Sequence, residues 1–220
     1  MDANLTDEER LALIKTWWRE NGSSIITGIV LGLAVLFGSK AWFSYQDANA
    51  QAASNIYMTL IAALETGNAT VVAQKADMLV TEHGSSPYAT LAALAMAKIK
   101  IESGELNDAQ AQLRWVLDSS ESGIFRDTAR LRLARVLIAM EDLDGAEALL
   151  QEPASGKAFD PLYTEVKGDV NVARGDISAA HSAYQQALAE TANGSPGRHM
   201  LELKYQGTQG AAGAPEAQQE

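Results

Sequence analysis

The chain has no cysteine among its 220 residues. That absence excludes disulfides, thiolate metal sites and a cysteine nucleophile, and leaves the redox compartment open. Glycine and proline are sparse in the soluble part and punctuate it. No run of alternating β-branched residues marks a strand, whereas alanine and leucine dominate, so the composition is that of an all-α protein. Histidine is scarce too. His83, His181 and His199 stand alone, none with a second histidine three or four residues on, so no metal site is expected. The serine elbow of hydrolases, a phosphate-cradling glycine loop and a dinucleotide fingerprint are all missing. No catalytic, cofactor-binding or metal-ligating residue is therefore assigned, and the chain reads as a non-enzyme. Positive charge is the last shortage. The chain carries −11 overall, with 28 acidic and 17 basic side chains. A domain so acidic repels a phosphate backbone, which excludes nucleic acid as a partner.

What is abundant is one apolar run. From Asn21 to Ser39 no side chain ionises, and the apolar character resumes past Lys40 at Trp42 and Phe43. A helix of ~20 residues crosses the ~30 Å hydrocarbon layer of a bilayer. Trp17 and Trp18 precede the run and Trp42 and Tyr45 follow it, as the two interfacial aromatic belts of a spanning helix would. Arg10, Lys15 and Arg19 lie before the run, while after it Lys40 is followed by no base until Lys75. That excess places the N-terminal side in the cytoplasm and translocates the rest. A cleaved leader is the competing reading, because Ala48-Asn49-Ala50 has the small-residue form of a cleavage site. Its apolar region would be ~7–15 residues long and adjacent to that site, and here the run is longer, with Lys40, Trp42 and Tyr45 intervening. A buried core helix is disfavoured by the uncharged length and the tryptophan flanks. Within the run, Gly28 and Gly32 form a G-x-x-x-G pair, and Ala34 and Gly38 repeat the spacing. Small residues four apart let a second membrane helix approach closely, so Gly28, Gly32 and Gly38 are the candidate packing face. Before the run, Thr6-Asp7-Glu8-Glu9 reads as a capping box opening a short helix with Leu11, Leu13, Ile14, Trp17 and Trp18 on an apolar side.

The remainder repeats itself. Gly104-Glu105-Leu106, Glu141-Asp142-Leu143 and Gly175-Asp176-Ile177 are followed by Ala109, Ala146 and Ala180, at spacings of 37 and 34 residues. Thr66-Gly67-Asn68-Ala69 is a weaker copy. Ser86-Pro87, Asp160-Pro161 and Ser195-Pro196 each place a capping residue before a proline suited to the first helical position. Each unit reads as helix, tight turn with a left-handed glycine, second helix and loop. Four tetratricopeptide-like units are expected, at about 45–83, 87–120, 123–151 and 160–192, with a closing helix at 196–205. The predicted organisation is thus a short cytoplasmic amphipathic helix (1–20), a transmembrane helix (21–43), a repeat domain (44–206) and a disordered tail (207–220).

One charge cluster stands out in the acidic repeats. Arg126, Arg130, Arg132 and Arg135 fall on one helix, and Arg126 and Arg130 are a turn apart. Facing a groove, that pair would bind carboxylates or an extended acidic segment. The plainer alternative is a solvated face with Asp127 as local partner.

The assembled chain resembles the YfgM-type ancillary subunits of the bacterial Sec translocon, from residue 5 to about 206. The resemblance rests on Thr16-Trp17-Trp18-Arg19-Glu20-Asn21-Gly22, on Gly28 to Gly32 and Leu36-Phe37-Gly38, on Gly104-Glu105-Leu106 to Leu117, and on the turns at Gly168-Asp169 and Gly175-Asp176. It implies an inner-membrane protein of Gram-negative bacteria with a periplasmic repeat domain. The implied partners are Sec translocon subunits, a membrane-anchored periplasmic foldase-like chaperone, exported unfolded proteins and membrane lipid. The implied role is to hand emerging proteins to periplasmic chaperones, with a link to envelope-stress regulation. An anchored scaffold for cell-wall or outer-membrane assembly is the alternative.

Overall fold

The computed structural model describes residues 7–212. Thr6, and with it the expected capping box, lies outside the described residues, as does the tail from residue 213. Among the described residues there is no strand, and the helices follow one another as α1 (Asp7–Glu65), α2 (Ala69–Glu82), α3 (Pro87–Glu102), α4 (Leu106–Ser119), α5 (Gly123–Ala139), α6 (Leu143–Gln151), α7 (Asp160–Arg174), α8 (Ile177–Glu190) and α9 (Arg198–Ala212). The all-α class read from composition is what the chain forms.

The chain divides into two compact units, Met1–Ala52 and Ala53–Glu220. Among the described residues, the first holds α1 up to the division. No helix break separates the expected cytoplasmic helix, the span and the first repeat helix: α1 runs unbroken for 59 residues. The first proline is Pro87, so nothing in this stretch removes a backbone donor. Gly22, the residue best placed to loosen the helix, lies under the Trp18 indole, 3.2 Å from where a Cβ would sit.

In the second unit, the last turns of α1 share a core with α2 and α3, and α3 pairs with α4, α5 with α6, and α7 with α8. The first helices of the later units, α3, α5 and α7, also touch in series. Their cores join end to end. Ala53, Leu60 and Ala63 pack with Val72, Leu79, Ala89 and Ala92. A larger cluster from Ala93 on α3 to Val170 on α7 continues the core, with Trp115 packed against both clusters. Ala180, Tyr184 and Ala187 close it against Leu201 on α9. Ala109, Ala146 and Ala180 are fully buried, as close helix approach requires.

The turn inside each unit is a repeated Schellman motif. Gly67, Gly104 and Gly175 adopt φ of 68°, 78° and 83°, and Glu141 takes the same role at 63°. The amide after each of them reaches back five residues: Asn68 to the Ala63 carbonyl, Glu105 to Lys100, Asp142 to Leu137 and Asp176 to Asn171, at 2.8–2.9 Å. The same residue then opens the next helix. Asn68, Asp142 and Asp176 accept the amides of Val71, Gly145 and Ala179 through their side chains. Glu105 departs from this pattern, because its carboxylate is bonded to Lys100 and Ser103.

Four expectations are corrected. Of the proline-led starts, only Ser86 caps through its side chain, accepting from the Tyr88 amide at 3.2 Å. A 3-10 turn, Lys157–Phe159, runs straight into α7, so Asp160 is already helical. Ser195 forms a turn before α9 rather than capping it, and that helix continues to Ala212, six residues past the expected end of the domain. Gly168 is no turn residue either. It lies inside α7, where an added Cβ would fall 2.4 Å from Tyr184 Cε1. The missing side chain makes the seat for the Tyr184 ring.

Two substitutions test these features by thermal unfolding of the detergent-solubilised protein. Gly168→Ala is expected to destabilise the fold by about 1–3 kcal/mol, because the added methyl overpacks a buried ring. Glu141→Gly is expected to stabilise it by about 0.5–1 kcal/mol, since glycine relieves a left-handed backbone at some entropic cost.

Candidate interaction surfaces

The first surface is the apolar part of α1. It is long and apolar enough to cross a membrane, and almost none of it is covered by the rest of the chain. Phe37 is 69% exposed and Leu31 61%. Trp17 and Trp18 at one end and Trp42 and Tyr45 at the other are open as well. Three polar side chains in the run bond back to their own helix: Asn21 to the Trp17 carbonyl at 3.0 Å, Thr27 to Ser23 at 2.8 Å, Ser39 to Leu36 at 3.0 Å. They are therefore satisfied without water. Gly28, Gly32 and Gly38 have nothing within 4 Å of a built Cβ. Their lack of a side chain serves no contact inside this chain.

The second unit carries charge in three arrangements. The innermost is Asp127, 1% exposed on α5. Its Oδ1 accepts from the Tyr163 hydroxyl at 2.9 Å and its Oδ2 from the Ser155 amide at 2.8 Å, with the Ser155 hydroxyl donating to the same oxygen. Arg130 Nη1 lies 3.4 Å from Asp127 and donates to the Tyr163 hydroxyl at 3.0 Å. Burial alone would raise the Asp127 pKa, but the bonds from Ser155, Tyr163 and Arg130 outweigh it and hold the carboxyl below its usual range. This node ties α5, the loop after α6 and α7 together.

The second arrangement runs from α5 through α7 to α9. Lys204 Nζ meets Glu165 Oε1 at 2.6 Å and both Asp169 oxygens at 2.7 and 2.8 Å, and Arg135 approaches the same two carboxylates at 3.6 and 3.9 Å. Tyr184 donates to Asp169 at 2.8 Å. Its burial, with Asp169 adjacent, pushes the phenol pKa well above normal.

The third is a cleft of about 570 Å³ between α4 and α6, floored by α5. Arg126 and Arg130 both line it, so the structure brings the expected pair together. The two differ in what they touch. Arg130 is turned into the Asp127 node, Arg132 reaches the Leu94 carbonyl, and Arg135 joins the α5–α7–α9 ladder. Arg126 is exposed and, among the described residues, has no ion-pair partner. Asp127, read from sequence as a surface partner of these arginines, is instead a core residue. Its place in the buried stripe with Leu131 and Ala134 was the available signal. Lys204 carried no such signal, because its partners lie 35 and 39 positions away. Of the histidines, His181 stacks on Tyr205 and bonds Thr208, His83 is buried, and His199 is exposed on α9.

Stacked helix pairs with Schellman turns and a small-residue interface, preceded by a helix long and apolar enough to cross a membrane, define a tetratricopeptide-like repeat protein. The profile of the tetratricopeptide repeat-like domain family matches residues 15–209. Similar proteins include the "Ancillary SecYEG translocon subunit" of Haemophilus influenzae, 31% identical over 85% of this chain and 91% of that one. Those of Escherichia coli and Neisseria gonorrhoeae are 26% and 25% identical, covering 86% and 93% of this chain and 90% and 98% of their own. No solved structure matches. The chain belongs to the family of ancillary SecYEG translocon subunits.

The Asp127 node makes a testable demand. Asp127→Ala strands the Tyr163 hydroxyl, the Ser155 amide and the Arg130 guanidinium, and is expected to destabilise the domain by about 3 kcal/mol. A carboxyl whose folded pKa lies below its unfolded value of ~3.9 stabilises the fold above that pH and gives up the contribution as pH falls through the folded value. Acid unfolding of Asp127→Asn should therefore show a shallower loss of stability below about pH 4 than the parent, followed by circular dichroism.

Proposed function

We propose that the chain is a non-enzymatic ancillary subunit of the Sec translocon, anchored in the bacterial inner membrane by α1. The observation that carries this reading is the uncharged, uncovered stretch of α1 with open Gly28 and Gly32, in a chain whose relatives are named for the SecYEG translocon. The basic residues Arg10, Lys15 and Arg19 ahead of the stretch support a cytoplasmic N-terminus and a periplasmic repeat domain. In this reading Gly28, Gly32 and Gly38 pack against a helix of the translocon, while the repeat domain receives exported, unfolded segments and links them to a membrane-anchored periplasmic chaperone. Repeat arrays suit such a task, because stacked units present a long continuous surface without a fixed pocket.

Photocrosslinking in intact cells tests it. A photoreactive residue at position 28 or 32 is expected to capture translocon subunits, and one on the exposed side of the repeats to capture exported chains or a periplasmic chaperone. Capture from both places of lipid and unrelated neighbours alone would refute the reading.

A further inference from the structure

The repeat domain contains seven arginines, Arg114, Arg126, Arg130, Arg132, Arg135, Arg174 and Arg198. Five have partners of their own. Arg130 bonds Tyr163 and Asp127, Arg132 the Leu94 carbonyl, Arg135 contacts Glu165 and Asp169, Arg174 bonds Asp144 and Glu147, and Arg198 bonds Glu202 and two carbonyls at the end of α8. Arg114 and Arg126 have none among the described residues, although the sequence after Lys40 holds 23 acids against 13 bases. Both are exposed, and both line the same cleft, Arg114 from α4 and Arg126 from α5.

The rest of that cleft is suited to a peptide. Leu133 and Leu137 form a buried floor, and Leu117 and Leu149 flank it, half-buried, from α4 and α6. Its volume of about 570 Å³ is in the range of sites that take a small ligand or a few side chains. Three acids also line it. Asp142 accepts the Gly145 amide as the cap of α6, and Glu152 lies 3.9 Å from Arg130. Asp118 is exposed and stands a turn from Arg114, and among the described residues it has no ion pair. Two guanidiniums without a partner among the described residues thus line one cleft with an aliphatic floor.

We infer that this cleft binds an extended segment of an unfolded protein in which acidic residues alternate with aliphatic ones, its carboxylates held by Arg114 and Arg126. The planar guanidinium fork pairs with a carboxylate through two parallel bonds, and the half-buried Leu117 and Leu149 take the intervening side chains. The site lies between the second helices of adjacent units, α4 and α6. It deepens the scaffold reading above and rests on it for biological meaning.

The test uses the full chain in lipid nanodiscs and a fluorescein-labelled decapeptide of alternating glutamate and leucine, with an alternating lysine and leucine decapeptide as counterpart. Anisotropy is expected to show saturable binding of the acidic peptide, weakened at least fivefold by Arg114→Ala and by Arg126→Ala and progressively by added salt. Arg126→Lys should retain part of the affinity, since it keeps the charge and loses the fork. Lys157→Ala, an exposed change elsewhere, should leave it alone. Both arginines are exposed, so an unchanged melting temperature is expected in each variant. Absence of saturable binding, equal binding by both alanine variants and the parent, or exclusive binding of the lysine peptide would each overturn the inference. The outcome separates from that of the functional reading, because crosslinks from positions 28 and 32 report on α1 alone and are expected to persist in the Arg114→Ala, Arg126→Ala double variant.

Discussion

The repeat domain depends on one backbone arrangement used four times. A helix ends, one residue turns left-handed, and the following amide reaches back five residues to a carbonyl that the helix has left unpaired. In three of the four turns the side chain of that same residue accepts an amide of the next helix. Two helix ends are satisfied within three residues, which fixes how the second helix leaves the first. The fully buried alanines at 109, 146 and 180 lie one turn further on. Larger side chains there would force the pair apart, and the continuous core from Ala93 to Val170 would open.

The features legible in the sequence were the ones with local causes. The turns announce themselves because glycine at positive φ and a capping acid are adjacent in the chain. The apolar helix announces itself through an absence of charge between Asn21 and Ser39. Glu141 shows that the motif tolerates a side chain at the left-handed position when its neighbours enforce the turn. Gly168 misled, because a glycine before an acid looks like a turn until Tyr184 is seen lying against it.

What the sequence hid were pairings between distant positions. Four arginines on α5 looked alike, and the fold gave each a different environment. Arg130 was drawn inward by a buried carboxylate, Arg132 toward the carbonyl of a neighbouring helix, Arg135 toward the acids of α7, and Arg126 was left facing solvent over a cleft. Their spacing along the helix sets only the direction in which each points. What it meets depends on helices roughly 30–40 residues away, and nothing in a linear pattern records that distance.

Arrays of stacked helices are stabilised by neighbour-to-neighbour interfaces, so they tend to fray from their ends. The C-terminal end of this one is fastened twice. Arg198 grips the last carbonyls of α8, and Lys204 reaches past α8 to two carboxylates on α7 that Arg135 of α5 also approaches. Because those acids are shared, peeling α9 away would leave Glu165 and Asp169 crowded together with one distant counter-charge. Detachment of the last helix is thereby coupled to the interior of the stack, and the domain's cooperative boundary lies at its terminus rather than one unit in.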